Sequence, residues 1–283
     1  MNSTEWFTKP SYNPFPLFAI MHVDERWSIA QAPIRSTAWK AVMEFLMSRK
    51  PFLALAGARG SGKSAFLLYL REFVNNENLF FCVYVSTFAT PDSKRAMYYE
   101  IVEQLLIDPH EKEKLLRKKR VALDDFMRLN VYLEKSSAKY GSLLILDDLD
   151  KISLMYTKKK ALELLNIVKD LMKTKLFTKV ILSVSLDEIK GITEFLPSDP
   201  EILEMEVVPL LPFSLEEAKT MIASYLGTPN SIRPFTEEAI TEIWRRSEGN
   251  PRMILMHCHN AFALMAGEGK KSVDLDLVKR ILT

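Results

Sequence analysis

Cysteine, glycine and long apolar runs are all scarce in this chain. Its 2 cysteines, Cys82 and Cys258, are too few for a disulfide framework and show no metal-ligand spacing, so both are expected to fill cores. No apolar run much exceeds about six residues, against the roughly 20 that span a bilayer, which excludes a membrane-spanning helix. Neither sign of charge dominates: 38 Lys and Arg stand against 36 Asp and Glu, a net charge of +2, so global charge argues neither for nor against nucleic acid. The opening stretch Met1 to Pro10 lacks the basic and then apolar regions of a signal peptide, and a cytoplasmic location is expected. What remains is ordinary for a soluble globular protein, 48% apolar and 26% charged, with length enough for one large or two small domains.

Only 9 glycines occur in 283 residues, yet three of them stand together in Gly57-Ala58-Arg59-Gly60-Ser61-Gly62-Lys63-Ser64. The stretch fits G-x-x-x-x-G-K-[ST], a pattern whose chemistry is a phosphate cradle. An apolar run reading as a buried strand precedes it at 52–56, and an amphipathic helix follows at 65–73. Glycine permits positive φ, so backbone N–H groups can converge on the β-phosphate at the positive end of a helix dipole. Lys63 would span the β- and γ-phosphates and the Ser64 hydroxyl would ligate Mg²⁺. The nucleotide-binding stretch is therefore taken as 57–65, ending at Ala65.

Five β-rich runs, at 52–56, 80–85, 143–146, 180–184 and 205–208, alternate with helical patterns at 65–73, 93–106, 122–136 and 159–172. The runs are nearly all apolar on both faces, the mark of a parallel sheet covered on two sides. After Pro209 the pattern becomes all-helical, with helices expected at 214–225, 236–247, 251–266 and 274–282. Ser214-x-x-Glu217 and Thr236-x-x-Ala239 mark two of their starts, the first with a capping-box glutamate. The expected fold is α/β: a five-stranded parallel sheet sandwiched by helices, followed by a small all-helical lid. The boundaries read as an N-terminal segment 1–50, a core 51–212 and a lid 213–283.

Further candidates stand at strand and helix ends. The run 142–146 ends in Asp147-Asp148-Leu149-Asp150, an apolar strand tipped with acid. Asp147 is placed to hold Mg²⁺ through its water shell, and Asp148 to face the γ-phosphate and orient the attacking water. Ser183 and Ser185 close the next strand on one face, and alternation does not choose which would bond the γ-phosphate or the water. Gly249-Asn250-Pro251-Arg252 opens the third lid helix, so that Arg252 projects from its first turn toward the nucleotide. The basic runs Arg117-Lys118-Lys119-Arg120 and Lys158-Lys159-Lys160 could contact DNA phosphates, although such runs are more often solvated helix faces. His257 and His259, two apart on a helix, do not share a face. Met253, Met256 and Met265 read as core.

Taken together these residues resemble the AAA+ ATPases, in particular archaeal origin-recognition initiators and ExeA/TniB-like ATPases, over nearly the whole chain. The resemblance makes Gly57 to Ser64 a Walker A motif, Leu143 to Asp150 a Walker B motif, Ser183 or Ser185 sensor 1 and Arg252 sensor 2. The segment 210–217 looks like the linker into the lid, and Asn13-Pro14-Phe15 is similar to an N-terminal segment that packs near the adenine. ATP rather than GTP follows from the resemblance, since no Asn-Lys-x-Asp guanine motif is present. Two departures stand out. Asp148 replaces the usual glutamate, a form that also resembles the STAND signalling ATPases, and no arginine lies between Lys179 and Arg233 to serve a neighbouring subunit as a finger. Initiators carry a winged helix after the lid, and the sequence stops at Thr283, so DNA contact is expected from the ATPase body or a partner.

The leading expectation is an AAA+ ATPase that binds and slowly hydrolyses ATP with Mg²⁺. Its nucleotide state would govern association with duplex DNA and with proteins, itself included. The alternative is a STAND-like switch that recruits proteins without DNA. A small-molecule kinase also uses a phosphate loop, but the helical lid argues against it.

Overall fold

In the computed structural model, residues 13–15, 34–86, 93–134, 138–147, 171, 174–185, 205–228 and 231–282 are described. By its internal contacts the chain divides into two compact units. One comprises residues 37–58 and 66–209; the other comprises 1–36, 59–65 and 210–283.

The first unit is α/β. Its elements, apart from the end residues Ser36, Lys63 to Ala65 and Leu210 that group with the other unit, run α1 (Ser36–Met47), β1 (Phe52–Gly57), α2 (Lys63–Asn76), β2 (Phe81–Val85), α3 (Ser93–Gln104), α4 (Pro109–Leu116), α5 (Leu123–Glu134), β3 (Ser142–Leu146), β4 (Lys179–Val184) and β5 (Glu206–Leu210). The five strands form one sheet in the order β2-β3-β4-β1-β5, with β1/β4, β2/β3 and β3/β4 paired in parallel. This is the five-stranded parallel sheet expected from the sequence, each strand within one or two residues of its apolar run. β1, β3 and β4 are buried along their whole length, as parallel strands covered on both faces must be. One face carries Ala54, Ala56, Val83, Val85, Leu144, Leu146, Leu182 and Val184, packed with Tyr98 and Ile101 of α3 and Phe126 and Leu129 of α5. Elsewhere Trp39 of α1 meets Phe66, Tyr69 and Phe73 of α2 at centroid distances of 5.8, 5.1 and 5.0 Å.

The second unit contains α6 (Leu215–Tyr225), α7 (Glu237–Arg246), α8 (Pro251–Gly267) and α9 (Leu275–Leu282). Ser214 and Glu217 form the full capping box at the start of α6, and Thr236 caps α7. An isolated parallel bridge, Phe235 to Val273, ties the start of α7 to the start of α9, a small β element where none is expected. Phe15 is fully buried among these helices, stacked on Tyr225 at 5.9 Å and edge-on to Phe235 and Phe262. Asn13 donates to the His259 carbonyl at 3.0 Å, and the His259 ring contacts the Phe15 carbonyl. Met265 is core as expected, whereas Met253 is 36% exposed: it stands in the first turn of α8 on the side away from the buried stripe of Ile254, Leu255, Cys258 and Phe262. Both cysteines are buried, and burial pushes each thiol far above its ordinary range, which makes them inert core residues. Among the described residues no helix is long and apolar enough to cross a membrane.

Candidate nucleotide site

The candidate residues fall into two groups, one in each unit. In the α/β unit, β4 lies between β1 and β3, so the tips of these three strands are neighbours. Register fixes which side chains share a face. Ile145 of β3 pairs with Tyr84 of β2 and with Ile181 of β4, and Ser183 pairs with Leu55 of β1. Side chains alternate along a strand, so Tyr84, Asp147 and Ser183 all lie on one face. Asp147 is 1% exposed; its N–H donates to the Val85 carbonyl at 2.9 Å, and the Tyr84 hydroxyl donates to its carboxylate at 2.5 Å. Tyr84 thus orients the carboxylate, a role the sequence does not announce because register across strands is not readable from an apolar run. Ser183 is fully buried within β4, and its hydroxyl finds no partner among the described residues. Ser185 stands just past the strand end, half-buried and on the same face. Asp148, and with it Lys158 to Lys160, lies outside the described residues.

In the other unit, residues 59–65 keep company with the lid. Gly60 and Gly62 have φ of +83° and +90°, left-handed values that glycine adopts without strain. Lys63 and Ser61 are buried, Ser64 is half-buried at the second position of α2, and the Ser61 hydroxyl lacks a partner among the described residues. Ala65 joins the lid core. Asn250 caps α8, its side-chain oxygen accepting from the N–H groups of Arg252 at 3.1 Å and Met253 at 3.3 Å. The same side chain donates through Nδ2 to the Arg59 carbonyl at 2.9 Å, and the Arg252 N–H reaches the Gly60 carbonyl at 3.3 Å. A Cβ on Gly60 would stand 2.8 Å from Asn250 Oδ1 and 3.1 Å from Arg252 Cβ, so the approach requires glycine. Arg252 is therefore brought to the loop, with its side chain exposed.

Arg35 was not singled out by any motif, yet it joins three parts of this unit. Only 6% exposed, its guanidinium donates to the Ser61 carbonyl at 2.8 Å and to the Leu211 carbonyl, and lies 4.0 Å over the Phe213 ring. Burial pushes its pKa down to about 10 against the pull of the Glu217 charge, which leaves it protonated at neutral pH. Phe213 in turn exchanges contacts with the lid. Its N–H donates to the Gly249 carbonyl at 2.8 Å, and its carbonyl accepts from Trp244 Nε1 at 2.7 Å. Gly249 has φ +68°, and a Cβ there would fall 2.5 Å from the Phe213 oxygen.

Of the basic run at 117–120, Arg117 pairs with Glu113 at 2.5 Å and Lys118 pairs with Asp125, while Lys119 and Arg120 are exposed. Among the described residues no cluster of three or more His, Cys, Asp or Glu could hold a metal ion by itself.

The model of a family described as an ATPase domain predominantly from Archaea matches residues 35–257. An uncharacterized HTH-type transcriptional regulator of Methanocaldococcus jannaschii is 21% identical over 252 residues; the match covers 81% of this chain but 62% of that protein, less than two thirds of its length. Among solved structures, the Aeropyrum pernix ORC2 protein in ADPNP and ADP complexes superposes with a TM-score of 0.63 at 16% identity, covering 91% of this chain and 71% of that one. Drosophila ORC bound to DNA gives 0.57 at 16% identity, covering 96% and 66%. At such identities the likeness is one of fold.

Proposed function

We propose that this chain, which belongs to the ATPase domain family found predominantly in Archaea, is an ATPase of AAA+ type that uses ATP to set the state of its helical lid, and through it association with DNA and with proteins. One observation carries the reading: the first turn of α8, bearing Arg252, is hydrogen-bonded directly to the backbone of the phosphate loop. The exposed Arg252 side chain would reach around the loop to a γ-phosphate held there, and a ligand shifts a conformational equilibrium by its differential affinity for the two states.

The residues present suit the nucleotide. Positive φ at Gly60 and Gly62 shapes an anion-binding concavity, and Lys63 supplies a cation beside it. Ser64 and Asp147 offer a hydroxyl and a carboxylate, hard oxygen donors of the kind Mg²⁺ takes. When bound there, Mg²⁺ would neutralise charge on the phosphate oxygens. Asp147 would be held in place by Tyr84, while Ser183, or Ser185 beyond it, offers a hydroxyl to the γ-phosphate or the attacking water. Asp148 is proposed to orient that water, one methylene short of the usual glutamate, which suits slow turnover.

DNA association is the finer part of the proposal. The regulator of M. jannaschii is named for a DNA-binding motif and the Drosophila complex holds DNA; by that analogy duplex DNA is the ligand to try first. A second reading, a switch that recruits proteins without DNA, is favoured by the basic run itself, because carboxylates already engage Arg117 and Lys118. Steady-state ATP hydrolysis with and without duplex DNA at modest salt separates the two. DNA stimulation that disappears in Lys63→Ala supports the DNA-directed ATPase; tight ATP binding with negligible turnover under both conditions supports the switch. Lys63→Ala turning over at the wild-type rate would remove the loop from the mechanism.

A further inference from the structure

We propose that Asn250 is a positioning residue of the phosphate site, holding the loop's peptide planes with their N–H groups turned toward the ligand. The proposal rests on reading 57–64 as the phosphate loop.

Three successive loop carbonyls are each claimed by a donor within the same unit. Arg59 O accepts from Asn250 Nδ2 at 2.9 Å, Gly60 O from the Arg252 N–H at 3.3 Å, and Ser61 O from Arg35 Nη2 at 2.8 Å. A trans peptide is planar, so the carbonyl of one residue and the N–H of the next point in opposite directions. Tying these three carbonyls toward Asn250, Arg252 and Arg35 turns the N–H groups of Gly60, Ser61 and Gly62 the other way. An anion cradle needs this arrangement, with successive N–H groups converging on one side. A loop held so before the ligand arrives has less ordering to do on binding, and affinity gains accordingly.

Asn250 has a special part because its two ends do different work. The oxygen caps α8, and the nitrogen reaches the loop. Asp and Ser cap helices as well as Asn does. Neither supplies the amide donor: aspartate sets a carboxylate oxygen against the Arg59 carbonyl, and the serine hydroxyl is a bond shorter. Cap strength alone therefore does not call for asparagine here; the loop contact does.

That separation gives the test. Wild type, Asn250→Asp, Asn250→Ser and Lys63→Ala would be titrated with a fluorescent ADP analogue and Mg²⁺, at a temperature where all are folded. Thermal unfolding without nucleotide would run alongside. Both Asn250 variants are expected to unfold with the wild type, because the cap survives, and to bind about tenfold more weakly, the loss of roughly one hydrogen bond. Wild-type affinity in both variants would overturn the proposal, leaving Asn250 as a cap alone. Weakening in the aspartate variant only would overturn it too, assigning the effect to charge rather than to the missing donor. If Lys63→Ala binds as tightly as wild type, the phosphate-loop reading itself falls, an outcome distinct from the other two.

Discussion

Lys179 and Asp125 are charged side chains buried in the α/β unit, and each is met by backbone or by an opposite charge. The Lys179 ammonium donates to the carbonyls of Phe45, Ser48 and Lys50 at 3.1, 2.6 and 2.6 Å, placing a cation at the C-terminal end of α1. Arg35 follows the same rule in the other unit, its guanidinium shared among loop and linker carbonyls. Asp125 accepts from the Ala122 N–H at 3.0 Å and pairs with Lys118. Burial alone would raise its pKa, but the Lys118 hydrogen bond and the Ala122 N–H outweigh it and hold the carboxyl below its ordinary 3.8. A folded value below the unfolded one means the unfolded chain binds more protons as pH falls. The stability that Asp125 contributes is thus complete above pH 3.8 and lost as pH drops through the folded value. Denaturant unfolding of wild type and Asp125→Asn between neutral and acid pH should show the gap between them narrowing below that point; parallel profiles would deny the pair any weight.

At the level of helices and strands, what could be read from sequence divides along a physical line. The sheet was legible because parallel strands buried on both faces must be apolar throughout, as in Leu53 to Ala56 or Leu143 to Leu146. The lid helices were legible through caps at Ser214, Thr236 and Asn250, local signals that need no knowledge of the fold. Two helices escaped. α4 buries no residue, so it has no apolar stripe, although Asp108 and Pro109 mark its start. α1 does bury Ala38, Val42, Phe45 and Leu46 at helical spacing, but no cap or motif drew attention to it. The loop contacts were out of reach for another reason. Arg35 meets residues 26 and 176 positions away, and Asn250 meets one 191 away, pairings that only the folded chain decides. Phe15 is a similar case, since three lid aromatics surround a residue far from them in sequence. Phe15→Ala should destabilise the helical unit by about 3–5 kcal/mol, the cost of emptying an aromatic site in a packed core. A midpoint shift in denaturant at constant slope would measure it, and no shift would mean the lid core closes without the N-terminal segment.

The grouping of loop and lid in one unit links nucleotide binding to the stability of that unit. Residues 59–65 share it with α6 to α9 and with Phe15, so a ligand gripped by the loop binds a folded lid and not an unfolded one. Such a ligand stabilises by RT ln(1 + [L]/Kd), about 2.7 kcal/mol at a hundredfold excess over Kd. For a chain of this length each kcal/mol moves Tm by roughly 2–4 °C, so saturating Mg²⁺ and ADP should raise Tm by about 5–10 °C. The same increment should return much of what Phe15→Ala removes, because mutation and ligand act on one folded unit. Lys63→Ala should gain nothing in Tm when nucleotide is added. A Phe15→Ala protein with a large nucleotide shift and an unmoved lid transition would instead separate the ligand's grip from the stability of the lid core.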